Sequence, residues 1–200
     1  MSVREDHWKE GGVFFCSFTC YKWLPLFERA DMYDWIHDWF RRLHAEHNRL
    51  IGYVIMPNHL HMLLLVPEGT SVNKLLAEGK RFMAYAIRKR LEAGGHEDLL
   101  AVMAEGVRNG DAARGLKYRA FETSSDIKEC WSETFLHQKL EYMHANPVSG
   151  KWSLAEDPAL YPYSSAAFYE RNMRRASGAA GRFYELGAAP EVPLLHISGL

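Results

Sequence analysis

Residues 53–66 read Tyr-Val-Ile-Met-Pro-Asn-His-Leu-His-Met-Leu-Leu-Leu-Val, which are two apolar runs separated by a Pro-Asn step. Proline and asparagine are common in turns, and the runs on either side have the length of strands. The sequence therefore predicts two strands, Leu50–Met56 and His59–Val66, joined by a tight turn. The other predicted elements are placed around this hairpin.

The strand after the turn carries two histidines two positions apart. Successive side chains of a strand point to opposite faces, so His59 and His61 would share a face and Leu60 would take the other. Two imidazoles on one face of a strand form half of a metal site. Two histidines hydrogen-bonded at the rim of a sheet give the same pattern, so a structural role stays open at this point.

A second informative segment, Ser132–Asn146, predicts a helix that ends before Pro147, because proline disfavours helical geometry in the residue before it. Its apolar residues fall at helical spacing and form one stripe: Leu136, Leu140 and Met143. The neighbouring stripe carries a ring, an ammonium, a phenol and an amide: Phe135, Lys139, Tyr142 and Asn146. These groups suit a nucleophile, a metal ligand and a phosphate contact better than they suit a core.

The remaining sequence supplies the other elements of an α+β fold. The order βαββαβ, followed by the tyrosine-bearing helix, is that of a ferredoxin-like sheet. The other elements are a strand at Val13–Cys20, a helix from Asp31 to about His47, a helix from Ser71 to just before Gly94, an irregular stretch at Glu97–Gly115 and a fourth strand at Leu116–Phe121.

Length and composition indicate one domain, over residues 1–176, and a loosely ordered tail over residues 177–200 that is rich in Gly, Ala and Pro. No stretch reaches the ~20 apolar residues of a membrane span, and the N-terminus has no signal-peptide core. We therefore expect a cytoplasmic protein without a membrane partner.

Cys16 and Cys20 would share a strand face, where buried thiols are favoured over a zinc pair because no second pair exists.

The balance of charge is close to neutral, with 24 Lys and Arg against 25 Asp and Glu, whereas many DNA-binding proteins are basic. Positive charge is concentrated locally, because residues 72–92 carry six basic and only two acidic side chains. A second basic cluster lies at Arg171–Arg175. A solvated helix face is the alternative interpretation of each cluster.

Met56-Pro-Asn-His-Leu-His61 followed by Tyr142-Met-His-Ala-Asn-Pro-Val148 resembles the single-tyrosine transposases of the HUH nuclease superfamily, and more narrowly the REP-associated tyrosine transposases. The resemblance covers residues 12–170. It is also carried by Val13–Thr19, Leu26-Phe27, the helix around Lys80, Tyr163-Ser-Ser-Ala166 and Tyr169.

The resemblance implies a single catalytic domain with the ferredoxin-like fold, which cleaves and rejoins single-stranded or hairpin DNA. It also implies that the tyrosine becomes joined to a DNA 5′-phosphate. Family members act as monomers or as dimers, so a homodimer is left open. Lys80 matches the family's lysine, which makes Lys80, with Arg81 and Arg88, the predicted contact to the DNA backbone. Lys139 is a further predicted DNA contact.

The chemistry follows from the residue types. Asn146 lies one helical turn after Tyr142, so its amide oxygen is placed to complete a divalent metal site with His59 and His61. Imidazole and amide ligands suit Mn²⁺ as well as Mg²⁺. Tyr142 would attack the phosphate and form a covalent intermediate. His144 is a candidate, like Lys139, for stabilising the phenolate or the phosphate.

Alternatives remain at the level of function and of single residues. A ferredoxin-like sheet also occurs in non-catalytic nucleic-acid-binding proteins, including proteins derived from transposases, and a strand-borne His-x-His occurs in other metal enzymes. Other tyrosines lack a metal-ligating partner four residues on: Tyr161, Tyr163, Tyr169 and Tyr184. A further set of histidines is interpreted as the polar edge of an amphipathic helix: His37, His44 and His47.

Overall fold

The computed structural model describes residues 11–113, 115–150, 152–176 and 193–195, the side chains of 172–176 excepted. The strands in these ranges are β1 (Gly12–Thr19), β2 (Arg49–Met56), β3 (His59–Val66) and β4 (Asp126–Glu129). The helices are α1 (Leu26–Arg29), α2 (Tyr33–Ala45), α3 (Val72–Ala93), α4 (Glu97–Glu105), α5 (Asn109–Ala112), α6 (Glu133–Ala145) and α7 (Ala166–Ala176).

The four strands form one antiparallel sheet in the order β2-β3-β1-β4. Helices α1 and α2 lie between β1 and β2 in the chain, and α3 to α5 lie between β3 and β4. This is the strand order of a ferredoxin-like βαββαβ sheet, as the order of predicted elements indicates. The predicted hairpin, first strand and tyrosine-bearing helix are confirmed to within one or two residues.

Each face of the sheet covers its own apolar core. Phe14, Cys16 and Phe18 of β1 pack with α2 and α3 on one face, whereas Phe15 packs with α6 on the other. The buried stripe of α6 is the predicted one: Leu136, Leu140 and Met143. Helices α3 and α6 therefore lie on opposite faces of the sheet.

Two glycines allow elements to approach closely. A Cβ on Gly52 of β2 would lie 2.6 Å from Cδ1 of Leu140 on α6. A Cβ on Gly79 of α3 would lie 2.5 Å from the ring of Trp39 on α2. Cores are close-packed and leave no room to absorb such overlaps without a shift. At Gly52, the missing side chain lets Leu140 of the helix that carries Tyr142 pack directly against β2.

The segment that follows α6 covers the outer edge of β2. The backbone N–H of Ser165 donates to the carbonyl of Tyr53, and Oγ of Ser165 accepts the N–H of Tyr53 at 2.9 Å. The hydroxyl of Tyr169 donates to the carbonyl of Ile51 at 2.8 Å, where β2 has an irregular register. Backbone groups of this edge are thereby paired within the chain.

The fourth strand is the element whose predicted position is wrong. The sequence predicts it at Leu116–Phe121, whereas β4 is Asp126–Glu129, and Phe121 makes only an isolated bridge to Cys20. β4 is an edge strand that pairs with β1 alone, and most of its side chains are exposed. An exposed edge strand carries charged residues rather than an apolar alternation, so its sequence gives no hydrophobic signal.

Helical structure departs from the prediction at three places. The stretch Glu97–Gly115, predicted to be irregular, contains α4 and α5, and Met103 of α4 is buried. Asp31 has a left-handed backbone (φ 44°), and α2 begins after it at Tyr33. His37, predicted on a polar edge, is only 1% exposed and packs against the sheet.

Both cysteines of the first strand region, Cys16 and Cys20, are buried, and this burial raises the pKa of each thiol. Protonated thiols are poor metal ligands, which favours the buried-thiol interpretation over a zinc pair. Among the residues that the structure describes, no helix has the length and apolar character needed to cross a membrane.

The predicted loose tail lies mostly outside the described residues. Its described part, residues 193–195, lies against β2, because the N–H of Leu195 donates to the carbonyl of Leu50 at 2.8 Å. Leu194 packs against the core on the α3 face.

Candidate active site

A cavity of about 440 Å³ opens on the α6 face of the sheet. Side chains of β1, β3 and β4 form its floor, and α6 forms one wall. The predicted histidine pair and the predicted polar stripe of α6 face each other across this space. Five predicted site residues line it together: His59, His61, Lys139, Tyr142 and Asn146.

The two histidines lie side by side on β3, as the strand periodicity predicts. Their ring centroids are 4.8 Å apart, and each residue is 7% exposed. On β1, Thr19 pairs with His59 and Ser17 pairs with His61, so small polar side chains border the pair. Phe15 stacks on His61 with ring centroids 5.4 Å apart, which restrains the plane of that imidazole.

Asn58, in the turn before β3, orients His59. Nδ2 of Asn58 donates to the carbonyl oxygen of Trp23 at 2.9 Å, so Oδ1 faces Nδ1 of His59 at 2.7 Å. Because an amide oxygen only accepts hydrogen bonds, we assign a proton to Nδ1 of His59. In a neutral ring of this tautomer, Nε2 is the nitrogen with the chemistry of a metal ligand.

His61 is kept neutral by its surroundings. Burial, with smaller contributions from His59 and Lys139, lowers the pKa of His61 to about 3. Its Nδ1 atom is buried and has no hydrogen-bond partner among the described residues. Buried polar atoms are normally paired, and on a residue that lines the cavity an unpaired nitrogen is a candidate contact for a ligand.

Tyr142 projects from α6 beside the histidine pair. Its ring centroid lies 5.4 Å from that of His61 and 6.2 Å from that of Phe15, and the residue is 52% exposed. Lys139 holds its ammonium 5.7 Å from the centre of the Tyr142 ring and 5.0 Å from that of Phe15. A cation at this place stabilises negative charge that develops on a phenol oxygen or a phosphate.

The residues present fit a divalent ion. Among the described residues no three His, Cys, Asp or Glu side chains converge as a metal cluster, and the predicted third ligand, Asn146, is an amide. Asn146 lines the same cavity, and its Nδ2 donates to the carbonyl of Tyr142 at 2.7 Å. This bond leaves Oδ1, the atom with ligand chemistry, directed away from the helix backbone.

The other candidate tyrosines are engaged elsewhere. The hydroxyl of Tyr161 donates to the carbonyl of Ile55 at 2.8 Å, and Tyr169 is bound in the same way to β2. Tyr163 stacks on Tyr33 with ring centroids 3.6 Å apart. Tyr184 lies outside the described residues.

His144 does not line the cavity. Its Nε2 lies 2.8 Å from Oγ of Ser165, and burial lowers the pKa of His144 to about 4. Because Ser165 is itself bound to Tyr53 of β2, His144 attaches the end of α6 to the sheet. This position supports the structural interpretation of His144 over a role in the chemistry.

The predicted DNA contacts of the basic helix lie on the opposite face of the sheet, on α3. Nζ of Lys80 donates to the carbonyl of Glu122 at 2.9 Å and to Oγ of Ser125 at 3.3 Å, and it is partly buried. Arg81 is exposed, and Arg88 is paired with Glu92 at 2.8 Å. The cavity and the helix that carries these three basic residues therefore lie on opposite faces of the sheet.

Comparison with known proteins supports the fold described above. No family model matches the sequence, and no curated protein is detectably similar to it. A solved REP-associated tyrosine transposase bound to a REP hairpin aligns with a TM-score of 0.56 and 16% identity, over 94% of this chain and 98% of that chain. The chain has the fold of a tyrosine transposase.

A second solved structure, a putative transposase from Deinococcus radiodurans R1, aligns over 70% of this chain and 93% of its own. Its identity is 13% and its TM-score is 0.39.

Within this transposase fold, sequence reasoning missed several residues that line the cavity. Strand periodicity could have identified Ser17 and Thr19, because they alternate with Phe18 and so share a face of β1. Asp126 and Lys128 lie on β4, whose predicted position is wrong, so the sequence does not predict them at the site. The tryptophans Trp23 and Trp152, which also line the cavity, come from irregular segments that no periodicity identifies.

Proposed function

We propose that this protein cleaves and rejoins single-stranded DNA through a covalent bond between Tyr142 and a 5′-phosphate, with the help of a divalent metal ion. The observation that carries the proposal is the position of the Tyr142 ring, 5.4 Å from His61 in the cavity that also holds His59 and Asn146. A nucleophile and a set of metal-ligating side chains in one cavity suit metal-assisted phosphoryl transfer to a tyrosine.

The chain's own residues have distinct tasks in this reaction. His59 and His61 would supply imidazole nitrogens, and Asn146 would supply an amide oxygen, to hold Mg²⁺ or Mn²⁺. A bound ion of this kind neutralises charge on the phosphate oxygens and makes the phosphorus easier to attack. Lys139 adds a fixed positive charge beside the phenol and the phosphate.

The covalent step exchanges one phosphate ester for another. The phenol oxygen of Tyr142 loses its proton and bonds to phosphorus, while the bond from phosphorus to the 3′-oxygen breaks. The 3′-oxygen leaves and takes a proton, which gives a free 3′-hydroxyl and a 5′-phosphotyrosine. Attack by a 3′-hydroxyl reverses the step and rejoins strands without ATP, because the ester bond is conserved.

The proposed partner is single-stranded or hairpin DNA. Support comes from the transposase fold, of which one solved structure is bound to a REP hairpin, and from the open cavity, which Lys128 and Lys139 line. A lone tyrosine cuts one strand at a time. Unpaired DNA also bends into a recessed site more readily than duplex does.

The test is adduct formation on single-stranded hairpins taken from the genomic flanks of the gene, with Mn²⁺ and a label at either end. We expect a protein–DNA species that survives a denaturing gel with the 3′-side fragment attached. Tyr142→Phe should form none, and Tyr161→Phe, which alters a hydroxyl bound to β2, should still form it. Binding without any adduct would support the non-catalytic alternative, and an adduct on Tyr142→Phe would overturn the choice of nucleophile.

A further inference from the structure

We propose that the beginning of α6 is a stacking platform for unpaired bases of the DNA strand whose phosphate enters the cavity. The platform consists of Trp131, Phe135 and Lys139. This inference rests on the proposed function and adds to it the surface over which the strand continues outside the cavity.

Trp131 is exposed to an unusual degree for its type. It is 81% exposed, more than any other large apolar side chain among the described residues, although tryptophan is highly buried on average. Its ring is nearly parallel to that of Phe135, with an interplanar angle of 11° and centroids 6.3 Å apart. The two rings therefore present aromatic surface to solvent beside the cavity.

The platform has a defined position in the fold. Trp131 lies between the end of β4 and Ser132, which precedes the first turn of α6. Oγ of Ser132 accepts the backbone N–H of Phe135 at 3.2 Å and so holds the start of the helix. A ring attached at such a place is preorganised, so binding loses less conformational freedom.

The platform is continuous with the candidate active site. The ammonium of Lys139 lies 5.1 Å from the centre of the Phe135 ring and 5.7 Å from that of Tyr142, and Lys139 itself lines the cavity. Phe135, Lys139 and Tyr142 are spaced by four and three residues, so they follow one stripe along α6, and Trp131 stacks on Phe135 from just before the helix begins. A DNA strand that leaves Tyr142 in this direction meets the ammonium of Lys139 and then the two aromatic rings.

This combination matches a single-stranded nucleic acid. Sequence-tolerant binding of single strands uses aromatic side chains for the base faces and cations for the backbone. A duplex hides its base faces, so it would gain nothing from Trp131. Continuity with the cavity also favours a strand already held there over a second protein chain.

The helix geometry predicts which nucleotides of the strand contact the platform. At a rise of 1.5 Å per residue, Phe135 lies about 10 Å from Tyr142 along the helix axis, and Trp131 lies beyond it, before the first turn. At about 3.4 Å per stacked nucleotide, the contacted bases begin roughly three nucleotides from the phosphate that is attacked.

The experiment is a double-mutant cycle between the protein and the DNA. Binding is measured for hairpins with a single-stranded flank in which each flank nucleotide in turn is replaced by an abasic residue. Trp131→Ala should weaken binding of the intact hairpin about 5- to 150-fold, the range for loss of one base–aromatic stack. An abasic residue at the contacted position should weaken the wild type similarly and leave the Trp131→Ala protein unaffected.

Three comparisons decide the result. Trp131→Phe should retain most of the affinity, and the loss in Trp131→Ala should be similar at low and high salt, because stacking is not a phosphate contact. Tyr85→Ala, which removes an exposed ring from α3, should show no coupling to any flank position. The melting temperature of each variant shows whether a loss of DNA binding is caused by unfolding.

The proposal is overturned if no flank position couples to Trp131, or if the coupling belongs to Tyr85 instead. It is also overturned if Trp131→Ala changes the oligomeric state in sedimentation while DNA binding is unaltered, since Trp131 is then a subunit contact. The readout is binding and not adduct formation, so failure of the proposed chemistry and failure of the platform are separate results.

Discussion

Gly52 and Leu140 are in such close contact that only a hydrogen atom fits at position 52 between the second strand and the tyrosine-bearing helix. A Cβ there would lie 2.6 Å from Cδ1 of Leu140 and 3.2 Å from Cε of Met143. The same helix carries Tyr142 two residues beyond Leu140. The absence of a side chain at position 52 therefore lets the helix that carries Tyr142 pack closely against the sheet that carries the histidine pair.

Gly52→Ala should displace α6 from the sheet. We expect a loss of about 1–3 kcal/mol in the free energy of unfolding, as for other overpacked cores. The rate of adduct formation should fall more than DNA affinity does. The matched control is Gly12→Ala in β1, where an added Cβ meets atoms only at 3.6 Å or beyond, so stability and adduct rate should hardly change. Equal rates in the two variants would show that the contact does not position Tyr142.

Removal of either imidazole should abolish metal binding and the adduct together. We expect His59→Ala and His61→Ala to lose the heat of Mn²⁺ binding in isothermal titration calorimetry, and to form no adduct. A chelator should do the same to the wild-type protein, and added Mn²⁺ should restore it. His137→Ala removes an exposed histidine from α6 and should behave as wild type. Adduct formed by the double histidine variant in the presence of chelator would refute a metal-dependent reaction.

Asn58 should control metal affinity through His59 without touching the ion. Asn58→Ala removes the acceptor of the His59 Nδ1 proton and should weaken Mn²⁺ binding about 10- to 100-fold. Asn58→Asp keeps an acceptor there and should weaken it less. Both variants lose the bond to the Trp23 carbonyl and should be less stable by about 1–3 kcal/mol. Equal metal affinities in the two variants would mean that Asn58 only supports the turn.

His37 should make the fold sensitive to acid. Burial lowers the pKa of His37 to about 4, and the unfolded chain would titrate near 6.5. Between these values the unfolded state binds a proton that the folded state does not, so the free energy of unfolding falls as pH falls. From pH 6.5 to pH 5 this histidine accounts for about 2 kcal/mol of that loss.

His37→Leu removes this contribution and should also be more stable at pH 7, because neither ring nitrogen of His37 has a hydrogen-bond partner in the described structure. Urea unfolding at several pH values measures both effects. His137→Leu, at an exposed position, serves as the control. A pH dependence unchanged in His37→Leu would contradict the assignment.

The basic helix α3 remains a predicted DNA contact. Lys80 is bound to the segment before β4, so its charge reversal would disturb the fold, and Arg81 and Arg88 make the cleaner test. The double reversal Arg81→Glu with Arg88→Glu should weaken hairpin binding and reduce the slope of log affinity against log salt by about 0.7–0.9 for each lost phosphate contact. Arg41→Glu with Arg42→Glu reverses two exposed charges on α2 as a control. Equal slopes in both double variants would move the DNA path away from α3.

Elements with a periodic apolar pattern could be predicted from the sequence alone. β2, β3 and α6 bury continuous or regularly spaced side chains, and the histidine pair and Tyr142 are attached to them. Where burial is slight, the sequence carries little information. β4 exposes most of Asp-Ile-Lys-Glu, so its position, and with it Asp126 and Lys128 of the cavity, could not be derived.

Residues placed by tertiary contacts were also beyond prediction. Trp23 follows Lys22 with a left-handed backbone at both positions (φ 58° and 50°), a conformation that neither residue type favours. His37 looks polar in an amphipathic pattern, yet it lies under the sheet because Tyr53 and Tyr163 pack against it. Only three-dimensional packing determines such positions.

The bond network at Ser165 has a consequence for the timing of activity in the cell. Ser165 joins Tyr53 of the second strand to His144 at the end of the tyrosine-bearing helix, yet it is synthesised after both. A growing chain on the ribosome would therefore contain the nucleophile and the histidine pair before it contains the residue that fastens them together. The site proposed for strand cleavage is therefore fastened only once the segment beyond Tyr142 has been made.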